Sequence, residues 1–350
     1  MKLLLTGGAG FIGSHTSLLL LEEGYDLVVY DSFYNSTERV FERFGKILEC
    51  DQINLSKRIK VIKGDIRDKN SLNEVFNSYS TIGDPISAVL HFAGLKSVSE
   101  SVNNPISYWD VNLFGTKNLL EVMAKHDCHK LVFSSSATIY GSTTSAKINE
   151  DHDIKPHNPY GHTKAAVEDL LTDLYNSNNK WSFAILRYFN PVGAHSSGQI
   201  GEDPLGVPNN LFPLITQVAL GRLEKIQVFG GDWPTTDGTG VRDYIHIMDL
   251  AEGHLSALKN LFEINNKRIL KLNLGSGQGY SVLEVIKNFR KVTGVDIPYE
   301  ITNRRSGDTA KNVADPSLSK KVLGWETTRS LLDMCRDSWN WQTKNPNGYY

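Results

Sequence analysis

Over about the first 190 positions, short apolar runs alternate with longer amphipathic stretches. Runs at Lys2–Leu5, Leu27–Tyr30, Ile59–Ile62, Ala88–His91, Leu131–Phe133 and Phe183–Leu186 predict β-strands. Between them, helical spacing of apolar residues predicts helices at Ile12–Glu22, Ser71–Ser78, Ser107–Lys125 and Thr163–Asn176. Strand and helix in regular succession imply a parallel sheet covered on both faces by helices. Right-handed crossovers then bring the carboxyl ends of the strands, and the loops that follow them, to one edge. Asp31 to Gln52 is a longer, polar connection, expected to be a partly helical excursion.

Beyond Asn190 the rhythm changes. Pro191, Gly193, Gly198, Gly201, Pro204, Gly206 and Pro208 make a loop-rich entry, and Gly230 to Gly240 make another. Helices are expected at Leu211–Leu220, Met248–Phe262, Val282–Val292 and Leu331–Gln342, with a strand near Leu270–Leu274. The fold class is therefore α/β: a doubly wound parallel sheet over residues 1–190, and a smaller interwoven α/β lobe over 191–350. Asn345 to Tyr350 read as a loose tail.

Composition narrows the function classes. Of 350 residues, 40% are hydrophobic and 22% charged, as in an ordinary soluble globular protein. A net charge of −2 gives no general attraction to nucleic acid or to an anionic membrane, so phosphate binding must be local. Cys50, Cys128 and Cys335 lie far apart without metal-ligand spacing, and none of the ten histidines clusters like a ligand set. No metal is called for, and reduced thiols suit a cytoplasmic location. The apolar starts Leu3–Leu5 and Leu18–Leu21 are separated by Gly7, Gly8, Gly10 and Gly13, which breaks any leader-like or membrane-spanning run.

Thr6-Gly7-Gly8-Ala9-Gly10-Phe11-Ile12-Gly13 follows the first strand and opens a helix. In that context glycines allow a tight turn and close backbone approach to a pyrophosphate, as in a Rossmann-like nucleotide site. Asp31 ends the next strand, where a carboxylate accepts bonds from ribose hydroxyls and repels the extra phosphate of NADP, favouring NAD. It also reads as the start of a turn at Ser32. Asp65-Ile66 and Phe92-Ala93-Gly94 follow later strands at the same edge, with Lys96 close behind. Lys96 reads equally as a solvated surface lysine, and Asn112, inside a helix, as a bond to a neighbouring loop. Ser134-Ser135-Ser136 closes the fifth strand, and Tyr160 and Lys164 stand four apart on one helix face, with His162 between them facing outward. A free tyrosine titrates at about 10. A fixed cation nearby is expected to lower that value and make the phenol a usable base.

At this point the chain resembles the extended short-chain dehydrogenase/reductase family, and within it the branch that epimerises sugar nucleotides. The likeness runs from Leu4-Leu5-Thr6-Gly7-Gly8-Ala9-Gly10 to Asn345-Pro346. Its most specific stretches are His91-Phe92-Ala93-Gly94-Leu95-Lys96, Ser134-Ser135-Ser136-Ala137-Thr138-Ile139-Tyr140-Gly141 and Leu186-Arg187-Tyr188-Phe189-Asn190-Pro191. Downstream come Pro208-Asn209-Asn210-Leu211 and Asp237-Gly238-Thr239-Gly240-Val241-Arg242-Asp243-Tyr244-Ile245-His246.

This resemblance implies reversible 4-epimerisation of UDP-glucose and UDP-galactose through a 4-keto intermediate, with tightly bound NAD. Catalysis would fall to Tyr160, Lys164 and Ser136. The NAD site would be lined by Gly7, Gly10, Phe11, Ile12, Gly13, Asp31, Asn35, Asp65, Ile66, Phe92, Ala93, Gly94, Lys96, Asn112, Ser134, Tyr160, Lys164, Tyr188 and Phe189. The UDP-sugar would meet Lys96, Ser136, Tyr160, Asn190, Asn210, Leu211, Gln227, Val228, Phe229, Arg242, Tyr244, Arg305, Asp308 and Asn312. Asparagine at 312 is smaller than the tyrosine found there in some relatives, which implies room for N-acetylated sugars, although it reads equally as a polar surface residue. A homodimer through Ser107–Lys125 and Thr163–Asn176 is implied too, with Val111, Phe114, Leu119 and Val122 as an apolar side that core packing also explains. Two rivals share this scaffold: a sugar-nucleotide 4,6-dehydratase, which would need Asp-Glu where Ala137-Thr138 stand, and a non-catalytic NAD sensor, which would not need the Tyr–Lys pair.

Overall fold

The computed structural model describes residues 1–350 except 144, 179, 207, 209, 264–266 and 306–307. Two compact units form: the first from 1–141, 154–187 and 254–272, the second from 142–153, 188–253 and 273–350.

The first unit is built on strands β1 (Lys2–Thr6), β2 (Asp26–Asp31), β3 (Ile59–Lys63), β4 (Ile86–His91), β5 (Lys130–Ser136) and β6 (Ser182–Tyr188). With Ile269–Leu274 they make a seven-stranded sheet in the order Ile269–Leu274, β6, β5, β4, β1, β2, β3. The pairs β1–β2, β1–β4, β2–β3 and β4–β5 are parallel. Their register sets Thr6 beside Tyr30 and His91, and His91 beside Phe133, so the strand ends that carry the candidate chemistry share one edge.

Because strand side chains alternate, each strand feeds two cores. Leu4, Val28, Val89, Leu131, Phe133, Phe183 and Ile185 pack with Leu119, Met123, Val167 and Leu171 of two helices. Leu3, Leu5, Val29 and Leu90 point the other way and are just as buried. On that side Gly8 lies so close that a Cβ there would be 3.0 Å from Val29 Cγ1.

Two helices position the site. Pro159–Ser177 starts with proline at its first turn, and the Asn158 side chain caps it by accepting the Gly161 N–H at 2.9 Å. The stretch expected as one helix from Ser107 to Lys125 is interrupted by a π-helical segment, Trp109–Phe114, before Gly115–Lys125. At the junction a Cβ on Gly115 would stand 2.5 Å from Ile66 Cγ2, so the helix rests directly on the loop after β3.

The second unit centres on strand Val241–His246, joined by Gly279–Ser281 antiparallel and by Lys311–Asn312 and Asn190–Val192 in parallel. A separate parallel pair joins Ile226–Phe229 to Tyr299–Thr302. Helices Leu211–Ala219, Val282–Thr293 and Leu331–Lys344 cover a core of Phe212, Val228, Tyr244, Phe289 and Met334. The strand near Leu270–Leu274, grouped by chain order with this half, instead lies at the edge of the seven-stranded sheet. Backbone pairing assigned it there, and backbone pairing leaves no mark in an apolar run.

Phe183 is fully buried in β6 and stacks on Trp181 with ring centroids 5.3 Å apart. Phe183→Ala should lower the unfolding free energy by about 3–5 kcal/mol in a denaturant titration. A loss below about 1 kcal/mol would contradict this packing.

Candidate active site

The glycine loop is tied to both neighbouring strands. Gly7 N–H donates to Tyr30 O at 2.9 Å, and Phe92 and Ala93 N–H both donate to Thr6 O. Gly7 has φ of +69°, and a Cβ there would fall 2.5 Å from Ala93 N. A Cβ on Gly13 would fall 2.4 Å from Gly7 O, so only glycine lets the helix close on the loop. Gly10 sits at the N-cap of helix Phe11–Glu22 and offers no capping side chain. The amides of Phe11, Ile12 and Gly13 therefore remain for an anion, which fits the pyrophosphate of a dinucleotide.

Asp31, at the end of β2, is buried and works locally. Its Oδ2 accepts from Ala9 N–H at 2.9 Å, and Oδ1 accepts from Phe33 N–H and Ser36 Oγ. It thus starts a turn and at the same time holds the glycine loop, keeping its remaining lone pairs for a ribose. Asn35 is exposed on that turn. Asp65 forms a two-pronged ion pair with Arg67, which holds its carboxyl below the usual range, while Ile66 belongs to the core.

Phe92, Ala93 and Gly94 follow β4, with Ala93 against Gly7 of the glycine loop and Gly94 near Lys164 of helix Pro159–Ser177. Asn112, turned inward by the π-helical segment, accepts the Leu95 N–H at 2.8 Å. Its amide donates to Leu95 O and to Thr163 Oγ1. A Cβ on Gly94 would come within 3.0 Å of Asn112 Oδ1 and 3.7 Å of Lys164 Nζ. Lys96 follows, exposed on the loop.

Ser136 closes β5 and caps the short helix Ala137–Tyr140. Its Oγ accepts from Thr138 N–H and from Thr138 Oγ1, the latter at 2.9 Å, and its hydroxyl acts to lower the pKa of the Tyr160 phenol. Lys164, one turn on, donates to Ser134 O at 2.7 Å and lies 4.9 Å from the Phe133 ring and 5.9 Å from the Tyr160 ring centre. Burial lowers Lys164 to about 8, with Glu168 acting against it. Tyr160 is pushed above the ordinary phenol value, opposite to the direction expected from the Tyr–Lys spacing. Burial dominates there, and the Ser136 hydroxyl offsets only part of it. His162 faces solvent.

In the second unit, several expected contacts gather around one arginine. Arg242 donates to Thr309 O at 2.9 Å and reaches Asp308 at 3.4 Å, while Arg305 stacks 3.8 Å from the Phe229 ring centre. Asn312 pairs with Arg242 across the strands, and its Oδ1 is buried without a hydrogen-bond partner among the described residues. Gln227 is exposed, whereas the side chains of Val228 and Tyr244 lie in the core. Tyr188 and Phe189 are buried; Asn190 donates to Asp243 O at 2.8 Å, and Asn210 donates to Glu202 just before Leu211 begins its helix. Asn209 lies outside the described residues.

Sequence reasoning passed over three supporting groups. His91 is fully buried between Thr6 Oγ1 at 2.6 Å and Thr116 Oγ1 at 2.8 Å, and burial drives it down to about 3, so it stays neutral. Asp243 anchors the loop at Ser276 and Gly277 with both carboxylate oxygens. Glu168 binds Ser135 and Arg187. Only Glu168 had a visible signal, its four-residue spacing from Lys164.

A family model described as GDP-mannose 4,6 dehydratase matches residues 4–338. The chain is 50% identical over 349 residues to the UDP-glucose 4-epimerase of Bacillus subtilis (strain 168), covering 100% of this chain and 99% of that one. The crystal structure of UDP-glucose-4-epimerase from Stenotrophomonas maltophila, with bound NAD and formylated UDP-arabinopyranose, is similar with a TM-score of 0.92 and 46% identity, covering 99% of both chains. That of Bifidobacterium longum UDP-glucose 4-epimerase, in complex with NAD+ and UDP, also has a TM-score of 0.92 and 46% identity, covering 99% of this chain and 100% of that one.

Gly7→Val should leave the purified protein without retained dinucleotide, because the side chain would collide with the Ala93 backbone. Nucleotide released on denaturation and measured by absorbance checks this; release equal to the parent protein would refute the cradle.

Proposed function

This chain belongs to the UDP-glucose 4-epimerases of the extended short-chain dehydrogenase/reductase family, and we propose that it interconverts UDP-glucose and UDP-galactose by transient oxidation at C4. NAD, when bound, supplies the acceptor and later the donor of the C4 hydride. Asp31 favours it over NADP, because a second anion beside a buried carboxylate is repelled.

The observation that carries the reading is the Lys164 ammonium, one turn from Tyr160 and bonded to the Ser134 carbonyl at the strand end that presents Ser136, next to the glycine cradle. Tyr160 takes the proton of the sugar 4-hydroxyl, with Ser136 as its relay, and returns it when the 4-keto sugar is reduced on its other face. For this the Tyr160 phenol first releases its own proton to solvent, and Lys164 stabilises the phenolate so formed, which then takes the proton of the sugar; the raised resting value keeps the phenol protonated until then. Arg242 and Arg305 are suited to the diphosphate by charge-assisted bonds. Arg305 on Phe229 also makes a flat surface fit for a uracil ring.

The dehydratase named by the family description is the second reading. Elimination needs a further acid and base next to Ser136. Ala137 has neither, and the Thr138 hydroxyl is spent on Ser136 Oγ. An epimerase is therefore favoured, and chromatography of the products from UDP-galactose separates the two.

Acceptance of UDP-N-acetylglucosamine and UDP-N-acetylgalactosamine is supported by the small Asn312 side chain, whose Oδ1 has no hydrogen-bond partner among the described residues. A homodimer is supported by Phe114, exposed at 57% on the helical stretch expected to pair, and by Ile106, exposed at 81% just before that stretch. Leu119 and Val122 do not serve that face, being core residues. A cytoplasmic location agrees with three free cysteines.

Tyr160→Phe should lower kcat by at least about a hundredfold while UDP-sugar binding by calorimetry stays within a few-fold; unchanged turnover would sink the assignment. Asn312→Tyr should abolish turnover of the N-acetylated sugars and spare UDP-galactose. Equal loss on both, in parallel assays, would remove Asn312 as a determinant of sugar size.

A further inference from the structure

Behind Lys164 the helix carries a second buried ionisable group that the mechanism does not use. Glu168 is 1% exposed, one helical turn beyond Lys164. Its Oε1 accepts from Ser135 Oγ at 2.5 Å and from Arg187 Nε at 3.1 Å, and its Oε2 accepts from Arg187 Nη2 at 2.7 Å. Arg187, from β6 and also 1% exposed, donates onward to Tyr140 OH at 2.8 Å and lies 5.1 Å from that ring centre.

We propose that Glu168 is a positioning residue for the proton-transfer set: its carboxylate keeps the buried Lys164 charged and, through Ser135, fixes the strand end that presents Ser134 and Ser136. The inference rests on the reading of Lys164 as the site's working cation.

The physical need is plain. Lys164 and Arg187 are two cations in one dry region, and each pays a desolvation cost that a lone ammonium or guanidinium would not recover. The groups facing Lys164 are Tyr160 and Glu168 on its own helix, the Ser134 carbonyl and Phe133 ring from β5, and His91 from β4; Arg187 from β6 stands behind Glu168. His91 is neutral and Tyr160 is protonated at rest, so they contribute no counter-charge. Glu168 is the carboxylate that acts on Lys164 among the described residues, raising its proton affinity against burial. Ser135 lies between Ser134, whose carbonyl bonds Lys164, and Ser136, which the proposed reaction uses. One carboxylate thus sets both the charge and the geometry of the pair.

The test separates charge from packing. Glu168→Gln and Arg187→Met break the same ion pair, so simple loosening would move Lys164 in the same direction in both. Loss of the carboxylate should instead lower the Lys164 midpoint, and loss of the guanidinium should raise it by leaving Glu168 to Lys164 alone. Lysine side-chain NMR titration of the holoenzyme reads this directly, with the Lys164 signal assigned from Lys164→Arg. The parent midpoint is expected near 8. Glu168→Gln should bring it down by about one pH unit or more, and the alkaline limb of kcat should move down with it, because the charged form is lost as pH rises through the midpoint. Unmoved midpoints, or a fall in both variants, would overturn the proposal. If Glu168→Gln does not fold, the sign of the Arg187→Met shift decides alone. Midpoints that move as expected in a protein that fails to convert UDP-galactose would leave the coupling intact and refute the functional reading instead.

Discussion

A protonated lysine held almost out of water is the constraint around which the first unit is organised. Lys164 is 5% exposed. Removing an ammonium from solvent costs several kcal/mol even after relaxation. The chain offsets that cost with a backbone carbonyl at the end of β5, the face of Phe133 and the carboxylate of Glu168. These partners meet Lys164 only when β5 and helix Pro159–Ser177 are in register, and β6 adds the Arg187 that pairs with Glu168. The site is therefore as cooperative as the core beneath it.

The same logic explains the order of side chains along the active edge. Gly7 approaches Ala93 too closely for any larger residue, and Asn112 hydrogen-bonds both Leu95, two residues on, and Thr163, next to Lys164. The cradle for a dinucleotide and the proton-transfer pair are one continuous construction. Its polar members are bonded to one another before any ligand arrives, which leaves little to reorganise during reaction. Tyr160 is the exception: half-buried and held above the ordinary phenol value, it would serve as a base in the proposed reaction only after losing its own proton.

Local pattern revealed the elements well, because apolar runs of strand length and the glycine loop are short-range signals. Tyr160 and Lys164 were legible for the same reason, as a helical spacing placed after a strand–serine turn. What stayed hidden depends on contacts across the sheet. The π-helical segment at Trp109–Phe114 that turns Asn112 inward is a tertiary adjustment within a run that reads as plain helix. The edge position of Ile269–Leu274 is a choice of pairing partner. Arg187 reads as one residue in an aromatic motif until Glu168, from another element, is found against it. The direction of the Tyr160 shift was misjudged because spacing shows the nearby cation and not the depth of burial, and burial is the larger effect.

The central claim is that C4 of the sugar is oxidised and reduced in place, with the same hydrogen returned to the opposite face. Conversion of UDP-[4-²H]galactose in ordinary water, followed by NMR and mass spectrometry of the product, tests this most directly. The account predicts UDP-glucose that retains its deuterium at C4. Loss of the label to solvent, or a 4-keto-6-deoxy product in place of the epimer, would contradict it.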